Sequence, residues 1–225
     1  MIVIPPFLLT TSNTTSTVAE PSAGEVVWDA ATNYAVGQVV IRTETHRKYE
    51  CQSAGVSATL PENDPTKWLD IGPTNKWAMF DNLRSQATTS PGSMTITISP
   101  GRRVDSLALL GVKATKVTIT MTYNGEVVYT TERNMGARNT TTWSQYFFGE
   151  FKYVNSLLLQ DLPSYANSVI TILFENDPAL NVECSEIVIG NKIFLGYAQY
   201  DAVNKFHGIK LRFFEQLAAK KPSKA

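Results

Sequence analysis

At 225 residues the chain can hold one large β domain or two modest ones, and an apolar content of 43% sets it apart from disordered sequences. Twenty basic and twenty acidic residues cancel to a formal net charge of zero, which removes the electrostatic case for nucleic acid or an anionic membrane as partner. Cys51 and Cys184 lie in different halves and read as two isolated buried thiols, not as a disulfide framework.

The chain opens on Met1-Ile2-Val3-Ile4-Pro5-Pro6-Phe7-Leu8-Leu9. The stretch lacks a basic n-region and is broken by two prolines, so neither a signal peptide nor a membrane span is expected. Thr10 to Thr17 are small and polar, an expected tether. Two readings of the apolar tip stand side by side. It is a terminal strand folded back on its own domain, or an assembly arm in which Ile2, Ile4, Phe7 and Leu8 add to a neighbouring subunit.

Residues 25–71 form a small turn-rich module. Val39-Val40-Ile41 and Lys48-Tyr49-Glu50-Cys51 read as short strands around a polar connection, and Pro61, Asp64 and Pro65 make the return loop to Trp68. Trp28, Tyr34, Tyr49 and Trp68 are the large side chains available to hold it together. Gly72-Pro73 then punctuates the chain before the apolar Trp77, Met79 and Phe80, and marks the joint with a larger β domain.

From residue 92 the pattern lengthens. Ser93–Ile98 and Lys116–Tyr123 alternate polar and apolar as half-buried strands do. Asn124-Gly125 is the strongest hairpin signal, returning into Glu126-Val127-Val128-Tyr129. Val104–Gly111, Leu157–Leu159, Val169–Phe174, Glu186–Gly190 and Ile193–Gly196 complete the set, with a last strand expected around Ile209, Leu211 and Phe213 and a basic tail after residue 214. Many short strands with Gly, Pro and Asn turns, and no amphipathic helix, predict an antiparallel β-sandwich of jelly-roll form.

No catalytic set emerges. His46 and His207 have no partner at metal-ligand spacing, and no nucleophile elbow, phosphate loop or dinucleotide fingerprint occurs. Glu62 with Asp64, and Glu175 with Asp177, are carboxylate pairs beside proline in turn-like loops and read as solvated turn residues; the second loop is also oxygen-rich enough for a structural calcium ion to be weighed. No enzyme activity and no cofactor are expected.

Three resemblances add to this reading. The pattern Trp28…Tyr34-x-x-Gly37-x-x-Val40…Tyr49…Pro61…Trp68 resembles the small chitin- and cellulose-binding modules of carbohydrate-binding families 5 and 12. That resemblance makes Trp28, Tyr34 and Trp68 candidate glycan-binding residues, against their alternative role as the module's own core; Gln52-Ser53-Ala54-Gly55 stands where those modules carry an adjacent aromatic pair. Val104–Val112, the hairpin and Glu186–Gly190 look like galactose-binding-like jelly rolls. Over nearly its full length the chain is similar to a class of tailed-bacteriophage virion proteins. They are recognised by an Ile4-Pro5-Pro6 arm, a carbohydrate-module-like domain, the Gly72–Asp81 joint, a jelly roll, and the closing Leu195-Gly196-Tyr197 and Phe206–Arg212 segments.

The expectation is an all-β chain: a small three-stranded module followed by a jelly-roll sandwich. Its parts are an arm at 1–24, the module at 25–72, the sandwich at 73–214 and the tail at 215–225. The resemblance implies a non-enzymatic component of a phage tail tip or baseplate in the virion. Present in several copies, it would contact other tail proteins and host-surface polysaccharide. A dedicated carbohydrate-binding adhesion module is the alternative.

Overall fold

Alternation of apolar and polar side chains sets the architecture. In the computed structural model, which describes residues 2–135, 142–148 and 154–196, five antiparallel strands form one sheet. Their order is Glu126–Asn134, Lys116–Tyr123, Val169–Glu175, Ser93–Ile98 and Thr14–Ser16. Ser156–Leu159, Ser106–Leu110 and Glu186–Gly190 form the facing three-stranded sheet. Ile96, Ile119, Met121, Ile172 and Phe174 from the first sheet meet Leu107, Leu109 and Ile189 from the second in one fully buried core. Each of these residues sits at every second position of its strand, as one buried face requires. This is a jelly-roll β-sandwich, as the sequence predicts.

The hairpin at Asn124-Gly125 has φ of 51° and 82° at its two central residues, the positive pair of a type I′ turn. The strand it returns into runs to Asn134, five residues beyond the predicted end at Tyr129. A helix, Trp143–Phe148, was not anticipated; at six residues it is too short for a periodic apolar stripe to announce it. The predicted last strand near residue 211 and the basic tail lie outside the described residues.

The small module is three-stranded, with Val39–Arg42 and Trp68–Pro73 on either side of Arg47–Cys51. Gly72 and Pro73, expected at the joint, are the last residues of its third strand. Ile71 is the extra residue of a bulge there, and Gly72 takes φ +125°, open to glycine. Trp28, Tyr34, Val40, Tyr49, Cys51 and Trp68 make a second apolar core that shares no residue with the sandwich core.

A polar seam ties module to sandwich. The Glu20 carboxylate accepts hydrogen bonds from Thr74 Oγ1 (2.6 Å) and His46 Nδ1 (2.9 Å). The His46 ring lies on Trp77 at 4.5 Å and 27°. Asn75 exchanges two 2.9 Å bonds with the Thr89 backbone, while its own amide donates to Glu25. Two residues after Trp77, Met79 drops into the sandwich core.

The N-terminal segment takes the folded-back course. Phe7 N donates to Ile189 O (2.8 Å), Arg102 caps the Phe7 ring, and Leu9 is buried in the sandwich core. Thr14–Ser16, in the expected tether, pairs with Ile96–Ile98 as an edge strand. Three of its residues bond the sheet because a Ser/Thr run has strand propensity enough once a partner edge is on offer.

Ile4 and Pro5 lie directly over Gly190, where an added Cβ would run into the Pro5 carbonyl. Gly190→Ala is therefore expected to lower stability by about 1–3 kcal/mol in thermal or chemical denaturation, the range for overpacking. The penalty should vanish in a chain lacking residues 1–8; an undiminished penalty there would place the strain elsewhere.

Burial pushes the Cys184 thiol up to about 12. Both cysteines are free and buried. At pH 8 a thiol reagent should leave Cys184 unlabelled until the chain unfolds, and rapid labelling of the native protein would contradict that burial.

Candidate functional site

Trp28, Tyr34 and Trp68 are brought together, but inside the small module. Tyr34 meets Trp68 edge-on at 5.1 Å between ring centres, Tyr34 and Trp68 are 4% and 2% exposed, and Arg42 covers Trp28. Their faces are used up in packing, so none is presented as a sugar platform. Of the arm residues, Ile2 and Leu8 are exposed, and Ile4 and Phe7 are half-buried. The carboxylate pairs are engaged locally: Glu62 with Arg42, Asp64 with Thr66, Glu175 with Lys116 at 2.8 Å, and Asp177 with the Ala179 amide. Among the described residues no group of three or more His, Cys, Asp or Glu is placed to hold a metal ion.

The site that the geometry offers lies on the sandwich, at the side where one edge strand of each sheet comes to the surface. Lys116–Tyr123 presents Val117, Ile119 and Met121 to the core. Directly opposite them on the edge strand stand Arg133, Thr131 and Tyr129. Cross-strand partners point to the same face, so these three also face inward. An inward Thr and Arg beside Ile and Val is a break in the apolar pattern. The core stops at this strand, and a polar-walled cleft of about 320 Å³ takes its place, at the small end of the roughly 300–1,000 Å³ usual for ligand sites.

Tyr129 and Arg133 form one wall; Leu158, Leu159, Gln160 and Asp161 form the other. Leu159 pairs with Leu107 and anchors its wall to the core. The Gln160-Asp161 rim is held by Lys192, whose Nζ donates to Gln160 O at 2.6 Å and Asp161 Oδ1 at 2.7 Å. Lys192 N in turn donates to Asp105 Oδ1 at 2.8 Å, and the Leu162 amide donates to Asp105 O. The rim is thus fixed from two sides while the Gln160 side chain and the Arg133 guanidinium stay uncommitted among the described residues.

An aromatic ring, an apolar shelf, an amide and a guanidinium around one cleft can hold a polyhydroxylated ligand. The ring and leucines take C–H faces, and the planar polar groups bridge adjacent hydroxyls. In the sequence the returning strand is legible only to Tyr129, so Thr131 and Arg133 lie beyond the residues it marks as candidates. The signal was there: an eight-residue strand leading into a tight hairpin calls for a partner of similar length.

No family model and no curated protein matches this chain. Among solved structures it is similar to a GH29 fucosidase of Ruminococcus gnavus in complex with fucose (13% identity, TM-score 0.36, 54% of this chain and 22% of that one). It is similar also to a chitosan-binding module from a chitosanase/glucanase of Paenibacillus sp. IK-5 (14%, TM-score 0.34, 51% and 83%). A third is an F5/8 type C domain from Bacteroides fragilis (13%, TM-score 0.34, 53% and 82%). The chain thus spans about a fifth of the fucosidase. At these identities and scores the functional reading rests on this chain's own residues.

Trp68→Ala is expected to cost about 3–5 kcal/mol in chemical denaturation, the range for a large aromatic removed from a core. Unchanged stability together with lost polysaccharide binding would return the tryptophan to the role of a sugar platform.

Proposed function

We propose that this chain is a non-catalytic, glycan-binding component of a phage virion, placed at the tail tip or baseplate, whose jelly roll holds host-surface polysaccharide in the Tyr129–Arg133 cleft. The observation that carries the glycan reading is the inward-facing Tyr129, Thr131 and Arg133 opposite the braced Gln160-Asp161 rim. The virion reading rests on the order of parts: proline-containing N-terminal segment, small carbohydrate-module-like domain, Gly72–Asp81 joint and jelly roll. The exposed Leu8 and Phe148, 71% and 88% accessible, supply apolar surface of the kind that neighbouring subunits cover. A dedicated adhesion module remains the second reading, favoured by the cleft taken alone.

A glycan array on the purified full chain tests the first part. At least one polysaccharide class should bind, and Tyr129→Ala should weaken it about tenfold; because Tyr129 also packs on the sandwich core, the comparison is made at a temperature where the variant is still folded. No binding to any glycan would defeat the glycan reading. Antibody labelling of intact particles tests the second part: label at the end of the tail is expected, and unlabelled particles would leave the adhesion-module reading in its place.

A further inference from the structure

We infer that the cleft is built for an acidic sugar, a uronate or another carboxylate-bearing residue within a polysaccharide, and that Arg133 is the group that selects it; this rests on the glycan-binding reading above. Several other cations of the chain are already engaged. Lys192 is consumed by Gln160 and Asp161, Lys116 by Glu175 and Glu132, Lys113 by Glu183, and Arg42 by Glu44 and Glu62. Arg133 lies in the same strand as Glu132, yet its side chain takes no ion pair or hydrogen bond among the described residues, and it points to the inner face, away from Glu132.

Arg133 is itself exposed at the mouth of the cleft, so its charge is hydrated and open to a ligand that offers a better-placed anion. Asp161, the one carboxylate in the lining, is already neutralised by Lys192 at 2.7 Å. Of the two charged side chains that line the cleft, Arg133 is thus the one left without a partner among the described residues. A guanidinium offers parallel N–H donors in a fixed fork, which fits a carboxylate with two bonds where a hydroxyl takes one. Position adds to this. Tyr129 lies four residues back on the same face, about 13 Å along an extended strand, a span of two to three sugar rings. A chain lying in the cleft would pack a ring near Tyr129 and set a carboxylate at Arg133, with the Gln160 amide available to an intervening hydroxyl.

The test uses the full chain and three probes of matched length. These are polygalacturonate oligomers, the same oligomers after reduction of their carboxyl groups to alcohols, and polyglutamate. By titration calorimetry the uronate should bind at least tenfold tighter than its reduced form and than polyglutamate. Arg133→Ala should remove about tenfold or more of that affinity. Arg133→Lys should restore only part, because a point charge cannot form the two-bonded pair. Uronate affinity should fall as salt rises, while that of the reduced form should not. Equal binding of the charged and reduced oligomers, unchanged in Arg133→Ala, overturns this inference and leaves glycan binding standing. Polyglutamate binding as tightly as uronate overturns it in favour of a protein carboxylate. If the array and all three probes fail, both this inference and the reading beneath it fall.

Discussion

A single extra residue, Val128, decides what the open side of the sandwich presents. On the hairpin side of it Tyr123 pairs with Glu126 and Thr122 with Val127; beyond it Met121 pairs with Tyr129, and the ladder continues so to Lys116 and Asn134. In a straight ladder the residues opposite Met121, Ile119 and Val117 would be Val128, Thr130 and Glu132. The bulge moves every later side chain to the other face. It turns Tyr129, Thr131 and Arg133 inward and sends Glu132 out toward Lys116, 4.0 Å away. The cleft and its positive wall are consequences of that one-residue slip.

Much of the fold follows from patterns that act locally. Period-two alternation defines Ser93–Ile98 and Lys116–Tyr123 to the residue, since inside and outside differ at each step. Asn-Gly defines the hairpin because both positions take positive φ. The bulge leaves no such mark. Val127 and Val128 are both apolar, and either suits a strand on either face. Its position depends on the neighbouring strand, so the faces of residues 129–134 were beyond the reach of composition or periodicity.

The small module shows the same division. Its aromatic spacing was legible, and so were its strands; whether the rings faced solvent or each other was not. With so few apolar side chains available, Trp28, Tyr34 and Trp68 are drawn into the centre because a domain of this size has little else of their bulk to bury. Likewise an apolar N-terminal tip is readable as something that needs cover, but the cover itself, Ile189 and Gly190, lies some 180 residues further on.

The hairpin tip has a further use. Gly125 sits where an added Cβ would touch nothing within 4 Å, at the end of two strands that pair as far as Tyr123 and Glu126 beside the turn. Such a tip takes inserted sequence with little loss, because no buried backbone bond depends on it. It is a natural point at which to graft an epitope or a fluorophore, so that this chain could be followed in a mixture while both of its apolar cores stay undisturbed.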